Sequence, residues 1–463
     1  MSGLKRRTFL KTVAGTLALG VADKNRLLSP CAAENSPPNI IYLMADDLGY
    51  GDLGCYGQKL LLTPHIDQLA AEGIRFTDCY AGGVVCAPSR SVLMTGLHTG
   101  HTRVRDNFAQ VGGVPPQGRV PLEPEDITVA EVLKQAGYIT GITGKWGLGE
   151  PDTTGVPSRQ GFDEWFGYLN QRNAHSYYPP YLWRNEEKLL LEGNQDGRRG
   201  QYSHDMFDEW ELDFIRRNKD RAFFLYGSWT IPHARFEVPS LEPFADRDWP
   251  EEAIAYAAMV ARMDRYVGRI MALLKELDID DNTIVFFCSD NGAANRRDGL
   301  FDSAGPFRER KGSVYEGGIR VPMIVRWPGK VPEGTTSHAP WYFADILPTF
   351  ARLAGAAPPE GIDGISVMPT ILGGQQPGLR ERFLYWESPS RDILHQAVRW
   401  GDWKAVRFGL DSRLELYDLA KDVGEQNDIA QHNPEAVKTI EDFLKTARFD
   451  SPNWPTKKQR ATT

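Results

Sequence analysis

Residues 39–52 read Asn-Ile-Ile-Tyr-Leu-Met-Ala-Asp-Asp-Leu-Gly-Tyr-Gly-Asp. Asn39 to Met44 is a short apolar run that predicts a buried strand. It stops at Asp46-Asp47 and a glycine-rich turn. The same design returns far downstream, where the strand-like run Thr283–Cys288 stops at Ser289-Asp290-Asn291-Gly292. Further strand-like runs lie at Tyr138–Thr143, Ala222–Tyr226 and Pro322–Trp327. Helical signals alternate with them. Thr63-Pro64 predicts an N-cap and first helical position, with Gly73 ending that helix. Thr128-Val129-Ala130-Glu131 is a capping box for a helix that stops near Gly137. Helical spacing runs from Glu251 to Leu277, and again over Phe343–Leu353. Strands alternating with helices predict an α/β domain with a mostly parallel mixed sheet flanked by helices. In such sheets ligands sit beyond the carboxyl ends of strands, where both acidic pairs fall.

From about Arg382 the pattern changes to short strand-like runs at Phe383–Trp386, Gln396–Trp400, Trp403–Arg407 and Leu414–Tyr417. A polar helix over Pro434–Thr446 follows. These predict a small α+β C-terminal subdomain with an antiparallel sheet, over residues 381–450, beside the large α/β domain over 36–380. Residues 451–463 are expected to be a loose tail. The composition is that of a soluble globular protein, with 41% hydrophobic and 25% charged residues. A net charge of −8 gives no general attraction to nucleic acid or anionic lipid. The N-terminus reads Lys5-Arg6-Arg7-Thr8-Phe9-Leu10-Lys11, and the apolar stretch after it, Thr12–Ala22, is about half the ~20 residues a bilayer span needs. It resembles a twin-arginine export signal over residues 1–33, which implies a periplasmic or extracellular protein. Cleavage after Ala33 is expected, with lipidation of Cys31 as an alternative. The other cysteines, Cys55, Cys79, Cys86 and Cys288, form neither a disulfide framework nor a Cys-x-x-Cys zinc motif.

The chemistry concentrates in Cys86-Ala87-Pro88-Ser89-Arg90-Ser91-Val92-Leu93-Met94-Thr95-Gly96. This segment resembles the sulfatase signature Cys-x-Pro-Ser-Arg-x-x-Leu-x-Thr-Gly at every defined position. Gly137–Thr140 through Gly144-Lys145-Trp146, Pro232-His233, and Lys311-Gly312 with Glu316–Pro322 fit the same family in order. The resemblance is to formylglycine-dependent sulfatases of the alkaline-phosphatase superfamily, and it runs from Pro38 to about Gly364. It implies an alkaline-phosphatase-like large domain and the hydrolysis of sulfate esters. It also implies that a formylglycine-generating enzyme oxidises Cys86 to formylglycine (3-oxoalanine). A hydrated aldehyde carries two hydroxyls on one carbon: one attacks sulfur, and loss of the other's proton re-forms the carbonyl and expels sulfate. A divalent metal held by Asp46, Asp47, Asp290, Asn291 and residue 86 is implied as well. Oxygen ligands favour Ca²⁺, with Mg²⁺ as an alternative. By the same resemblance Arg90 steadies the formylglycine, Lys145 and Lys311 bind sulfate oxygens, and His233 protonates the leaving alcohol.

One position departs from the family. Its members carry histidine after Lys-Trp, where this chain has Gly147. His175 is a candidate replacement or substrate contact, and His98 and His101 are further candidates. The polar-aromatic stretch Asn170-Gln171-Arg172, His175, Tyr177-Tyr178, Tyr181 and Trp183 suits sugar rings, so sulfated carbohydrates are the expected substrates. Two other readings stay open: a phosphoester or phosphonate monoester hydrolase of the same superfamily, and a catalytically decayed protein that only binds sulfated glycans.

Overall fold

The computed structural model describes residues 37–115, 118–294, 299–389 and 393–456. The export signal and Cys31 lie outside the described residues. The dominant element is an eleven-stranded mixed sheet. Its strands are β1 (Asn39–Ala45), β2 (Ile74–Tyr80), β3 (Ile139–Lys145), β4 (Glu164–Tyr168), β5 (Tyr181–Arg184), β6 (Glu187–Leu190), β7 (Phe223–Ser228), β8 (Thr283–Ser289), β9 (Arg320–Arg326), β10 (Thr335–Ser337) and β11 (Trp341–Tyr342). They lie in the order β10-β2-β9-β8-β1-β7-β3-β4-β5-β6, with β11 also on β2. The centre, β8-β1-β7-β3-β4, is parallel throughout. β9 runs antiparallel to β8 and β2, and β5 antiparallel to β4 and β6.

The apolar run at 40–45 behaves as a strand covered on both faces should. Ile40, Tyr42 and Met44 enter one core, with Val129 and Leu133 of α3 (Val129–Gln135) and with Ile346, Leu347 and Phe350 of the helix Ile346–Leu353. Ile41, Leu43 and Ala45 enter the other. There they meet Met259, Met263, Val267 and Ile270 of α5 (Glu251–Glu276) and Ile66 and Leu69 of α1 (Pro64–Ala71). The capping box forms as expected: Glu131 N–H donates to Thr128 Oγ1 (3.2 Å) and Thr128 N–H to Glu131 Oε2 (2.8 Å).

Two expectations, on Thr63 and on the tail, need correction, and two helices add to the elements predicted. Thr63 occupies the cap position of α1 but makes no cap bond to it. Its Oγ1 accepts from Gly54 N–H (2.9 Å) and donates to Asp67 (3.1 Å), so it ties a preceding turn to the helix instead. The signature segment is itself a helix, α2 (Cys86–Thr95), ended by Gly96 in the left-handed region at φ 70°. A long polar helix, α4 (Ser203–Asn218), covers the sheet beside α5. Residues 451–456 do not trail: Trp454 is buried, its Nε1–H donates to Phe108 O (3.0 Å), and Asn453 Nδ2 donates to Val111 O (3.1 Å).

The second sheet is antiparallel and four-stranded, β12 (Phe383–Ser388), β13 (His395–Trp400), β14 (Trp403–Phe408) and β15 (Glu415–Asp418), with the helix Pro434–Leu444 against it. It shares core with the large sheet through Leu384, Trp386 and Val406. Buried Lys404 joins the two parts, donating to Glu316 (2.8 Å) and Glu425 (3.0 Å).

Phe350 is fully buried, with ring centroids 5.9, 5.8 and 5.0 Å from Tyr42, Phe224 and Phe286. Replacing it with alanine opens a cavity in one of the two cores. Phe350→Ala is expected to lower unfolding stability by about 3–5 kcal/mol in chemical denaturation. A loss below about 1 kcal/mol would contradict this account of the core.

Candidate active site

Strand register builds the site. Ala45 and Ser289 are partners on adjacent parallel strands. Asp46-Asp47 and Asp290-Asn291 therefore emerge side by side, although more than two hundred residues separate them. Asp47 sits at φ 65°, where aspartate is among the more tolerant residues, and this turns its N–H onto Asp290 Oδ1 (3.2 Å). On the other flank of β1, Gly144 of β3 pairs with Ser228 of β7. Lys145 thus ends β3 beside Asp46, and its Nζ lies 2.6 Å from Asp46 Oδ2.

Cys86 is the first residue of α2, whose N-terminal N–H groups and dipole favour negative charge there. Its Sγ is 3.4 Å from both Asp46 Oδ1 and Lys311 Nζ. One turn along α2, buried Arg90 donates to Asp290 Oδ2 from Nη2 (2.8 Å) and Nε (3.2 Å). Its Nη1 donates to Lys145 O (3.0 Å) and to Ser228 Oγ. Lys311 reaches Asp47 Oδ1 at 2.5 Å. Its loop is stitched into place, with Lys311 N–H on Ala293 O (3.1 Å) and Gly312 N–H on Val84 O (2.8 Å).

His233 Nε2 lies 3.4 Å from Asp47 Oδ2, and His175 stacks on it with ring centroids 4.4 Å apart. Tyr177 supports this corner, its single hydroxyl proton shared between Thr230 O (2.8 Å) and His233 O (2.7 Å). The expected residues Asp46, Asp47, Cys86, Arg90, Lys145, His175, His233, Asp290, Asn291 and Lys311 thus come together. His98 and His101 do not join them. They stack on each other at 4.2 Å and pair with Asp363, between Tyr385 and Phe449. Part of the aromatic stretch packs on the protein itself. Tyr177 is wholly buried, and Tyr178 and Tyr181 lie under Arg199 and Lys188.

Three carboxylates would repel one another here without the cations. Burial pushes the Asp46 carboxyl upward, but Lys145, His233 and Arg90 outweigh it and hold it well below the usual range. Asp290 is raised, by burial and then by Asp46. Burial, aided by Asp46, pushes the Cys86 thiol up to about 12. Burial alone would lower Lys311, yet Asp47 and Cys86 raise it well above the usual lysine value.

The residues fit a hard cation. Asp46, Asp47, Asp290 and residue 86 offer ligand atoms all within 4.8 Å of one another, all buried. Asn291 donates from Nδ2 to Asp47 Oδ1 (2.8 Å). Its buried Oδ1 has no hydrogen-bond partner among the described residues, so it is an acceptor free for a metal. Ser228 and Asn107, whose Oδ1 accepts the N–H of Ala87 (3.0 Å), escaped sequence reasoning as site residues. The only signal for Ser228 was its place two residues past the strand-like run Ala222–Tyr226.

The family model described as Sulfatase matches residues 38–356. That of the N-sulphoglucosamine sulphohydrolase C-terminal region matches 305–448. The chain is 36% identical to N-acetylgalactosamine-6-sulfatase of Canis lupus familiaris, over 81% of its length and 72% of the relative's. It is 33% identical to arylsulfatase A of Homo sapiens, over 93% and 92% of the two chains. The crystal structure of Ps i-CgsB in complex with k-i-k-neocarrahexaose superposes with a TM-score of 0.80 at 28% identity, covering 92% of this chain and 96% of that one.

Arg90 satisfies three partners at once, which a lysine ammonium on a flexible stem cannot do in the same geometry. Arg90→Lys is expected to lower stability by roughly 2–3 kcal/mol, read as a shift in the urea midpoint. An unchanged midpoint would show that the fork carries no structural role.

Proposed function

The chain belongs to the sulfatase family and is an enzyme that hydrolyses sulfate esters, and we propose that it does so through a formylglycine made from Cys86. The observation that carries the proposal is the setting of Cys86: at the start of a helix, 3.4 Å from both Asp46 and Lys311, with Arg90 and Lys145 gathered on the same carboxylates. Residue 86 serves as the nucleophile only after a formylglycine-generating enzyme has acted on it. One hydroxyl of its hydrate bonds to sulfur as the ester's S–O bond breaks. The remaining hydroxyl then gives up its proton, the carbonyl re-forms, the bond from carbon to the bridging oxygen breaks, and sulfate departs. Water restores the hydrate.

Asp46, Asp47, Asp290 and Asn291, with residue 86, would hold a divalent cation, Ca²⁺ in preference to Mg²⁺. When bound, it supplies Lewis-acid polarisation of oxygen. The chain's own groups carry the rest. Lys145 and Lys311 offer positive donors to sulfuryl oxygens. Arg90 fixes Asp290 and the end of β3 around residue 86. His233 has one ring nitrogen directed at Ala234 O and the other on the side of Asp47, and it delivers a proton to the departing alcohol.

Sulfated carbohydrates are the proposed substrates. Support comes from the relative that is an N-acetylgalactosamine-6-sulfatase and from the structural relative solved with a neocarrahexaose. The alternative of a phosphonate monoester hydrolase has the likeness of one such enzyme's structure, at 22% identity, which speaks to the fold alone. Export is proposed from the Lys5–Lys11 segment.

The experiment that tests this reading is mass spectrometry of the peptide across Cys86, from a host with a working modification system. Conversion to formylglycine is expected to remove about 18 mass units. Unmodified cysteine beside a modified control protein would move the reading to a binding-only protein. His233→Ala is expected to slow hydrolysis of alkyl sulfates by about 10²-fold or more and of activated aryl sulfates far less. Equal losses would exclude the proton-donor role.

A further inference from the structure

The tyrosines expected to meet sugar rings are taken up by the protein: Tyr177 is buried, and Tyr178 and Tyr181 lie under Arg199 and Lys188. Another aromatic stands at the cleft. Phe108 is 53% exposed, although it follows Asn107, which is tied to the residue after Cys86. The Arg119 guanidinium lies over one face of the Phe108 ring, 4.4 Å from its centroid. Its Nη1 donates to Asn107 O (2.7 Å) and to Gln171 Oε1 (2.8 Å). Gln171 in turn lies against the flank of Gly147, two residues beyond Lys145. The ring therefore rests on the wall of the catalytic cleft, with its other face left to solvent.

A single exposed apolar side chain is ordinary. Phe108 is set apart by how firmly its backbone is held. Phe108 O accepts Trp454 Nε1–H (3.0 Å), and Ala109 N–H donates to Gly118 O (2.8 Å). The N–H groups of Gln110 and Val111 both donate to Asn453 O (2.9 and 3.2 Å). The guanidinium on the covered face adds a cation–π attraction that steadies the ring. A surface already fixed in shape loses little conformational freedom when a ligand settles on it. A pyranose carries a patch of C–H groups on one face and hydroxyls around its edge. A flat apolar face bordered by polar groups is its natural complement.

We propose that Phe108 is a specificity-determining residue, a stacking platform for the sugar ring next to the one that carries the scissile sulfate. This deepens the proposed function and rests on it. Asn107 separates Phe108 from the residue after Cys86, and Arg119 separates it from the flank of Gly147. That interval takes the sulfated unit, and the next unit along the glycan meets Phe108. Phe108 touches no reacting atom. It contributes affinity that a one-ring substrate cannot use, and so selects for length.

The test compares the parent with Phe108→Ala, Phe108→Leu and Phe108→Trp on two matched pairs of probes. One pair is N-acetylgalactosamine 6-sulfate and a chondroitin 6-sulfate hexasaccharide; the other is galactose 4-sulfate and a carrageenan hexasaccharide. Sulfate release gives kcat and KM. Calorimetry on a Cys86→Ala background, where turnover stops, gives affinity. The parent is expected to prefer a hexasaccharide over its monosaccharide. Phe108→Ala and Phe108→Leu are expected to cut that preference by about five- to tenfold, through KM rather than kcat. Phe108→Trp keeps a flat face and is expected to stay within about threefold of the parent. A merely structural role would spare leucine, penalise tryptophan and lower the thermal midpoint, and that pattern would overturn the proposal. So would a parent with no preference for length, or a preference that Phe108→Ala leaves intact. If the parent hydrolyses no sulfate ester, the functional reading falls, while the affinities of parent and variants still decide the role of Phe108.

Discussion

Three carboxylates meet at the ends of two neighbouring strands, all inside the protein, and their mutual repulsion is the constraint on which the rest of the site depends. A lone buried carboxylate would take up a proton rather than stay charged. Here Arg90, Lys145 and Lys311 are brought in from a helix, a strand end and a loop, each at hydrogen-bond distance from a carboxylate. The charge at each position is thus set by residues distant in sequence, and the backbone is arranged to deliver them. Arg90 shows the economy of this scheme. One guanidinium balances Asp290 and also joins the end of β3 to that of β7 through Lys145 O and Ser228.

The parallel centre of the sheet is what brings these groups together. Parallel neighbours carry their carboxyl ends to one edge, so β8, β1, β7 and β3 all open onto a single rim. Side chains following those strands then converge without any long excursion. Lys311 and the start of α2 approach from the far side, tied to each other through Gly312 and Val84. The four-stranded sheet contributes indirectly, since Lys404 and Glu425 hold Glu316, which begins the turn just beyond the Lys311 loop.

Much of this was legible in the sequence, for physical reasons that differ by element. The central strands are covered on both faces, so β1, β7 and β8 are apolar enough to be recognised directly. The capping box of α3 is a local device and needs no tertiary context. α2 was hidden because every one of its residues is buried, which erases the polar face that marks a surface helix. α4 was hidden by its polar composition, and β6 by having every residue exposed. The acidic pairs, Cys86, Arg90 and the lysines could be named from their motifs. Ser228 could not, since its part depends on strand register, and Tyr177, named for sugar contact, is instead a buried support because of the carbonyls its hydroxyl meets. His98 and His101 misled because proximity in sequence to Cys86 does not carry through a helix that points them at Asp363.

The docked segment at the end of the described residues has a consequence for residues far from it in sequence. Asn453 and Trp454 hold Phe108 to Val111, and the neighbouring Asn107 accepts the N–H of Ala87. Segments more than 340 residues apart in sequence therefore close one wall together, and a change at Trp454 reaches a line of contacts that ends on the residue after Cys86.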